Sequence, residues 1–329
     1  MKVRWLLLGG LVTLLLVPAL LVTTARLLEP PQGPWVRLVA FTPLGVVLYA
    51  AALLLLLLAW WRGAGFWRGT ARLLVVVAVV GVLVHAYWAS GPYVGTSSAE
   101  AGSGGTLRVL TSNLRFGEAD TAQLVELAQR EHADVLVLQE VTPVALEDLR
   151  SAGVDDAYPH VVGEADEGPA GTMVFSTYPL AKEHRVGTGF GSYRMTLRTP
   201  DGPVRLLAVH PRPPVGPARG WREDQVAVRS AARALTGPAV LAGDFNATMD
   251  HTPMRELVGR GSRDAATQSR SGWQPTWPAA GEVSRLGVPV PSLLPIDHVL
   301  TRDGLHAVRT ESFTVPGTDH RALLAVLRR

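Results

Sequence analysis

Polar and apolar positions divide the chain into two unlike parts. Across residues 1–90 the apolar positions are nearly continuous. Trp5 to Thr23, Leu38 to Trp61 and Leu73 to Ser90 are runs without a charged residue. Each is close to the roughly 20 residues that carry a helix across a bilayer. Helices with no polar face do not suit the core of so small a soluble segment. Beyond residue 106 the pattern changes to short apolar segments of strand length. Strands are expected at Thr106 to Ser112, Asp134 to Leu138, Thr172 to Ser176, Met195 to Arg198 and Val204 to Val209. More follow at Ala239 to Ala242, Ile296 to Leu300, Val308 to Val315 and Ala322 to Leu327. Thr199-Pro200-Asp201-Gly202-Pro203 is a hairpin signal. Helical spacing appears from Asp120 to Arg130, after Thr142-Pro143, from Arg219 to Leu235 and after Asp250-His251-Thr252-Pro253.

Strands alternate with helices in the first half of this second part and cluster in the second half. That order predicts an α/β domain with mixed sheets. Gly91 to Thr106 is rich in Gly, Ser and Ala, has Glu100 as its one charge, and reads as a flexible linker. The expected organisation is a membrane domain over 1–90, a linker over 91–106 and a folded domain over 107–329. An irregular stretch, Gly272 to Pro295, is dense in Pro and Trp, and loops of that length inside a domain are often functional.

Charge sharpens the division. Residues 1–99 hold seven bases (Lys2, Arg4, Arg26, Arg37, Arg62, Arg68, Arg72) and one acid, Glu29. Of the chain's 31 bases and 28 acids, residues 100–329 therefore keep 24 and 27. The basic balance belongs to the membrane part and does not mark a nucleic-acid surface on the rest. A basic leader at Met1 to Arg4 also suits a cleaved signal peptide, but two further spans follow. Lys2 and Arg4 before the first span, and Arg62, Arg68 and Arg72 between the second and third, place those segments in the cytoplasm. A multi-pass protein of the cytoplasmic membrane is expected, with residues 107–329 outside the cytoplasm. His85, near the outer end of the third span beside Tyr87 and Trp88, is expected at the membrane interface. No charged residue lies at mid-membrane, which argues against a transporter or channel.

Absence of cysteine excludes disulfides, thiolate metal sites and a cysteine nucleophile. The chemistry must come from polar residues at strand ends. Asn113, Glu140, His210, Asp244 and Asn246 each close an apolar segment, Asp319 and His320 precede the last one, and Asp297 lies within another. Strand ends on one edge of layered sheets converge, so these groups are expected in one cleft. Such oxygen ligands suit hard divalent cations. Singly, each has a plain reading: Asn113 as a turn residue, Glu140 as a helix-start acid, His210 as a structural histidine, Asp244 and Asn246 as a cap, Asp319 and His320 as surface groups. His298 is expected to be structural, and His132 and His251 solvated.

Six motifs in order carry a resemblance: Ser112-Asn113, Gln139-Glu140, Val209-His210, Gly243-Asp244-Phe245-Asn246, Ile296-Asp297-His298 and Thr318-Asp319-His320. Together they resemble the endonuclease/exonuclease/phosphatase superfamily, over roughly Leu107 to Leu327, with Thr276-Trp277-Pro278 also similar. Thr318 stands where serine is common, and Ser176-Thr177-Tyr178-Pro179 lacks an arginine often seen there. The resemblance implies a two-sheet mixed β-sandwich flanked by helices, four layers α/β/β/α, preceded here by three transmembrane helices. It implies hydrolysis of a phosphate ester with Mg²⁺ or Mn²⁺. Glu140, Asn113 and Asp319 are implied as metal ligands. Asp244 would orient or deprotonate water, Asn246 and His210 would bond phosphate oxygens, and His320, oriented by Asp297, would contact the scissile phosphate. Which of Asp244 and His320 takes the proton stays open. Nuclease-like phosphodiester cleavage and cleavage of a phospholipid or inositol-phosphate headgroup are both compatible. A binding domain that kept the fold without activity is the alternative from another class. The partners expected are the substrate, nucleic acid or phospholipid, and the bilayer; nothing points to a protein partner.

Overall fold

A computed structural model describes residues 2–62, 66–95, 105–282, 284–285 and 287–329. The chain divides into two compact units, Met1–Gly91 and Pro92–Arg329.

The first unit is helical: α1 (Lys2–Leu28), α2 (Gly33–Val39), α3 (Leu44–Arg62) and α4 (Phe66–Ala89). Three of its helices are long and apolar enough to cross a membrane, over Trp5–Leu28, Leu44–Arg62 and Arg68–Ala89. The second expected span began at Leu38, but helix α2 ends at Val39 and α3 starts only at Leu44. Pro43 lies in the gap; it lacks an N–H and disfavours helix in the residue before it. His85 lies in the last turns of α4. Its side chain is buried within the bundle. Nδ1 lies 2.7 Å from the Thr42 carbonyl and donates to it, and Nε2 lies 2.9 Å from the Thr23 hydroxyl, whose own proton is directed to the Ala19 carbonyl. Tyr49 Oη joins the same hydroxyl at 2.9 Å. Gly45 makes room: a Cβ there would stand 2.1 Å from His85 Nδ1. Small residues at such contacts are how apolar helices approach closely.

A short helix, α5 (Gly91–Val94), opens the segment expected to be a flexible linker. Residues 96–104 of that segment lie outside the described residues. Its start is bonded, because the Gly272 N–H donates to the Pro92 carbonyl at 3.0 Å and Arg270 Nε donates to the Gly95 carbonyl.

The second unit is a sandwich of two six-stranded mixed sheets. The strands of the first sheet are β1 (Thr106–Asn113), β2 (Val135–Gln139), β3 (His160–Glu164) and β4 (Thr172–Ser176), with β13 (His306–Thr314) and β14 (Arg321–Arg328). Its order is β13-β14-β1-β2-β4-β3. The second sheet holds β5 (Leu180–Arg185), β6 (Tyr193–Thr199), β7 (Gly202–Val209), β8 (Ala239–Asp244), β9 (Arg263–Asp264) and β12 (Asp297–Arg302). Its order is β5-β6-β7-β8-β12-β9. A two-stranded ribbon, β10 (Ser284–Arg285) and β11 (Val288–Pro289), lies in the long irregular stretch.

Helices cover the outer faces: α6 (Thr121–Arg130), α7 (Pro143–Ser151), α8 (Val154–Ala157), α9 (Arg219–Arg233), α10 (Thr252–Gly259) and α11 (Ala265–Ser269). The Asp120 side chain accepts the Gln123 N–H at 3.0 Å, and the Thr142 hydroxyl accepts from Ala145 at 3.1 Å. Each cap stabilises its helix by about 1 kcal/mol. Side-chain alternation then decides which groups meet. Leu107 and Val109, Val135 and Val137, Leu206 and Ala208, Val240 and Ala242, and Val299 form one core between the sheets. Two residues further along the same faces stand Gln139, His210 and Asp244, and two before Val299 stands Asp297. Asn113 follows at the same period from Val109. Polar groups therefore gather where the apolar core between the sheets ends.

Candidate active site

β1 and β2 run parallel, with Asn113 in register with Gln139. β7 and β8 run parallel, with Val209 beside Gly243, and β12 returns antiparallel, with Asp297 beside Asp244. Gly243 permits the approach of β7. A Cβ there would lie 2.0 Å from the Val209 carbonyl, and its φ of +146° is strained for other residues.

The side chains form a connected set. Asn113 Nδ2 donates to Glu140 Oε1 at 3.0 Å and to Asp244 Oδ2 at 3.1 Å. Glu140 Oε2 accepts the Phe116 N–H at 2.8 Å, and Asn113 Oδ1 accepts the Arg115 N–H at 2.9 Å. Asp244 Oδ1 accepts the Asn246 N–H at 2.7 Å. Asp297 Oδ2 lies 2.9 Å from His320 Nδ1, which donates to it, and His320 Nε2 points toward Asp244 Oδ2 at 3.9 Å. Asp244, Asp297 and His320 each offer a ligand atom within 4.8 Å of the others. His210 Nε2 lies 3.9 Å from Asp244 Oδ2 and 4.0 Å from Glu140 Oε1. Asn246 Nδ2 donates to the Pro211 carbonyl at 3.0 Å, which leaves its second N–H for another acceptor. Asp319 is turned to another partner, its Oδ2 accepting from Trp277 Nε1 at 3.0 Å.

Local strain concentrates here. Arg115, Phe116, Glu140 and Asn246 have φ of 47°, 52°, 55° and 48°. Asn tolerates this region; the others are held in it by their surroundings.

Burial and charge set the protonation states. Burial, with the adjacent Asp297 charge, raises Asp244 to about 7. For His320, burial opposes the charged form, but the attraction and hydrogen bond of Asp297 and the fields of Asp244 and Asp319 outweigh it and raise the imidazole to about 10. Burial, then the charge of His320, lowers His210 to about 3. His320 is thus an imidazolium at neutral pH, His210 a neutral ring, and Asp244 lies near the point of proton exchange. The donor set fits a hard divalent cation: Glu140, Asp244 and Asp297 bring carboxylate oxygens together, and Asp297 Oδ1 is buried without a protein partner.

Further residues around the site build this arrangement. Ser192 Oγ accepts the His210 N–H at 2.9 Å. The Thr318 hydroxyl donates to the Asn113 carbonyl at 2.8 Å and accepts the His320 N–H at 3.1 Å. Serine would supply the same hydroxyl, so the departure at 318 preserves the contact. Arg212 Nε and Nη2 meet Asp224 Oδ2 and Oδ1 at 3.0 and 2.7 Å, which anchors the proline-rich loop whose Pro211 carbonyl holds Asn246. His298 is buried, with Nε2 2.9 Å from the Ala247 carbonyl, as a structural histidine. His132 is exposed, as expected for a solvated group. His251 is not: it is buried, its Nδ1 accepts the Thr248 N–H at 3.0 Å, and its ring lies 5.4 Å from that of Trp221.

Known proteins share both the sequence pattern and the fold. Residues 110–320 match the model of the Endonuclease/Exonuclease/phosphatase family. An endonuclease/exonuclease/phosphatase from Beutenbergia cavernae is similar in structure (TM-score 0.54, 20% identity, 68% of this chain and 71% of that one). So is an endonuclease/exonuclease/phosphatase from Bacteroides vulgatus (TM-score 0.52, 16% identity, 68% and 99%). D. rerio TDP2, solved with a single-strand DNA product, gives a TM-score of 0.54 at 13% identity over 68% and 99%. No curated protein matches the chain. With its fold shared and most of its second unit matched by the family model, this chain belongs to the endonuclease/exonuclease/phosphatase family and is a phosphoester hydrolase.

Proposed function

We propose that the chain is a membrane-anchored, divalent-metal-dependent phosphodiesterase of nuclease-like type. The observation that carries the reading is the continuous set Glu140–Asn113–Asp244, faced by the His320–Asp297 pair. Glu140 and Asn113 would hold the cation, with Asp319 contributing directly or through water. Asp244, Asp297 and His320 are a tighter group, but Asp297 Oδ2 and His320 Nδ1 are already taken up by their mutual hydrogen bond, which favours the Glu140 side. A bound Mg²⁺ or Mn²⁺ would neutralise charge on the phosphate and its leaving oxygen. Asp244 is the proton acceptor for the attacking water, because its raised pKa matches neutral pH. The proton from water ends on its carboxylate as the oxygen bonds phosphorus and the ester P–O bond breaks. His320 donates Nε2–H to a nonbridging oxygen, with Asp297 fixing the ring. His210, neutral, and the second N–H of Asn246 bond other phosphate oxygens.

A second reading, a phospholipid phosphodiesterase, is favoured by one feature. Phe116 and Val144 are 56% and 71% exposed. They lie beside Glu140: Phe116 N–H bonds its carboxylate, and Gly117 abuts Thr142 and Ala145. The purified full chain with Mg²⁺ or Mn²⁺ distinguishes the two. Nuclease-like activity predicts cleavage of single-stranded DNA that weakens as salt rises; product from phospholipid vesicles alone would replace it with the second reading. Failure on both would sink both.

The positive flanks of the apolar helices support a multi-pass protein of the cytoplasmic membrane with the hydrolase unit outside. Protease added to intact cells should then remove residues 107–329. Protection until lysis would reverse the orientation.

A further inference from the structure

We infer that Trp277 is a positioning residue for Asp319, with its indole N–H aiming the carboxylate toward the cation that Glu140 and Asn113 would hold. The inference rests on the proposed role of Asp319 as a metal ligand. Trp277 belongs to the irregular stretch between α11 and β12, yet that stretch is tied on both sides at this point. The Thr276 hydroxyl accepts the N–H groups of Ile296 and Asp297, both at 3.1 Å, so it fixes the start of β12. The Thr276 carbonyl accepts the Arg321 N–H at 2.8 Å, which fixes the start of β14. Trp277 N–H donates to the Leu294 carbonyl at 2.8 Å, and Leu294 N–H returns to the Trp277 carbonyl at 2.7 Å. Ala279 N–H donates to the Asp319 carbonyl at 2.6 Å.

Residues 276–279 therefore form a short strap across the start of β12, which bears Asp297, and the turn before β14, which bears Asp319. Within it, Trp277 Nε1 reaches Asp319 Oδ2 at 3.0 Å. An indole is a donor only, so this bond occupies one carboxylate oxygen, sets the plane of the group and leaves Oδ1 as its free oxygen. A carboxylate fixed in this way loses less rotamer freedom on meeting a cation. Partners of this kind are worth about 10–100-fold in metal affinity.

The test is Mn²⁺ binding to the purified full chain without substrate, followed by the electron paramagnetic resonance signal of free Mn²⁺, with the metal-free melting temperature taken alongside. Trp277→Phe keeps an aromatic ring but removes the N–H, and should weaken binding about tenfold or more. Trp277→His places a ring N–H near the same point and should recover part of the loss. In Asp319→Asn, adding Trp277→Phe should cost nothing further. If Asp319→Asn weakens Mn²⁺ and Trp277→Phe does not, or if the Phe and His variants lose affinity equally, the link between Trp277 and Asp319 is overturned. If Asp319→Asn binds as tightly as the wild type, the ligand role of Asp319 fails first and the inference falls with it.

Discussion

Asp244→Asn is expected to lower kcat by about 10²–10⁴, the range for loss of a general base, and to leave the protein at least as stable at pH 8. The first effect follows from chemistry: an amide has the shape of the carboxylate but takes no proton from water. The second follows from burial. Asp244 is 1% exposed, and its pKa in the folded chain is raised from 3.8 to about 7. A carboxyl with a raised pKa favours the fold in its protonated form. That contribution is complete below pH 3.8 and is lost as pH rises through about 7, so above 7 the ionised group is a burden. Asparagine removes the burden, at the expense of setting an amide against Asn113 Nδ2 unless one of the two turns over. Turnover and melting temperature measured on the same preparation check both halves. Undiminished turnover would remove Asp244 from the chemistry.

His320→Ala is expected to cost about 10²–10³ in kcat, the scale for removing one donor to a developing oxyanion. Asp297→Asn separates charge from presence, because the ring stays. In the wild type, burial works against the imidazolium, and Asp297 is the largest of the groups that reverse this and raise His320 to about 10. Activity that needs the charged ring is present below that value and is lost as pH rises through it. Without the Asp297 charge, burial gains the upper hand, and the alkaline fall in kcat moves to lower pH. Asp297→Asn should therefore be most impaired near pH 9 and least near pH 6. A profile parallel to wild type would mean that Asp297 acts only through packing.

Much of this site was legible in the sequence because strands have a period of two. Val240, Ala242 and Asp244, or Leu206, Ala208 and His210, read as apolar positions on one face that end in a polar group. That group must then lie where the buried face reaches solvent. Gly243, between Ala242 and Asp244, is where the Val209 carbonyl comes close. β3 and β5 were not legible. They pair along one side only, at the ends of their sheets, and their side chains are largely exposed or half-buried, so neither shows a clean apolar alternation. Asp224 acts through hydrogen bonds from a helix face to the loops at Gly189 and Arg212, and Thr276 and Trp277 through bonds from a loop to the start of β12 and the turn before β14; resemblance drew attention to Thr276 and Trp277, but sequence spacing carries no trace of the bonds themselves. His251 escaped for a related reason: an isolated histidine does not disclose whether a Thr248 waits to partner it.

The central claim is that the Asp244-centred site hydrolyses phosphate esters with the help of a divalent cation. The most direct test is release of nitrophenol from bis-p-nitrophenyl phosphate by the purified full chain, with Mg²⁺ or Mn²⁺ and then with excess EDTA, beside Asp244→Asn. Turnover is expected with the metal, none with the chelator, recovery when metal is restored, and little or none from the variant. Turnover that persists in EDTA, or equal rates from Asp244→Asn, would contradict it.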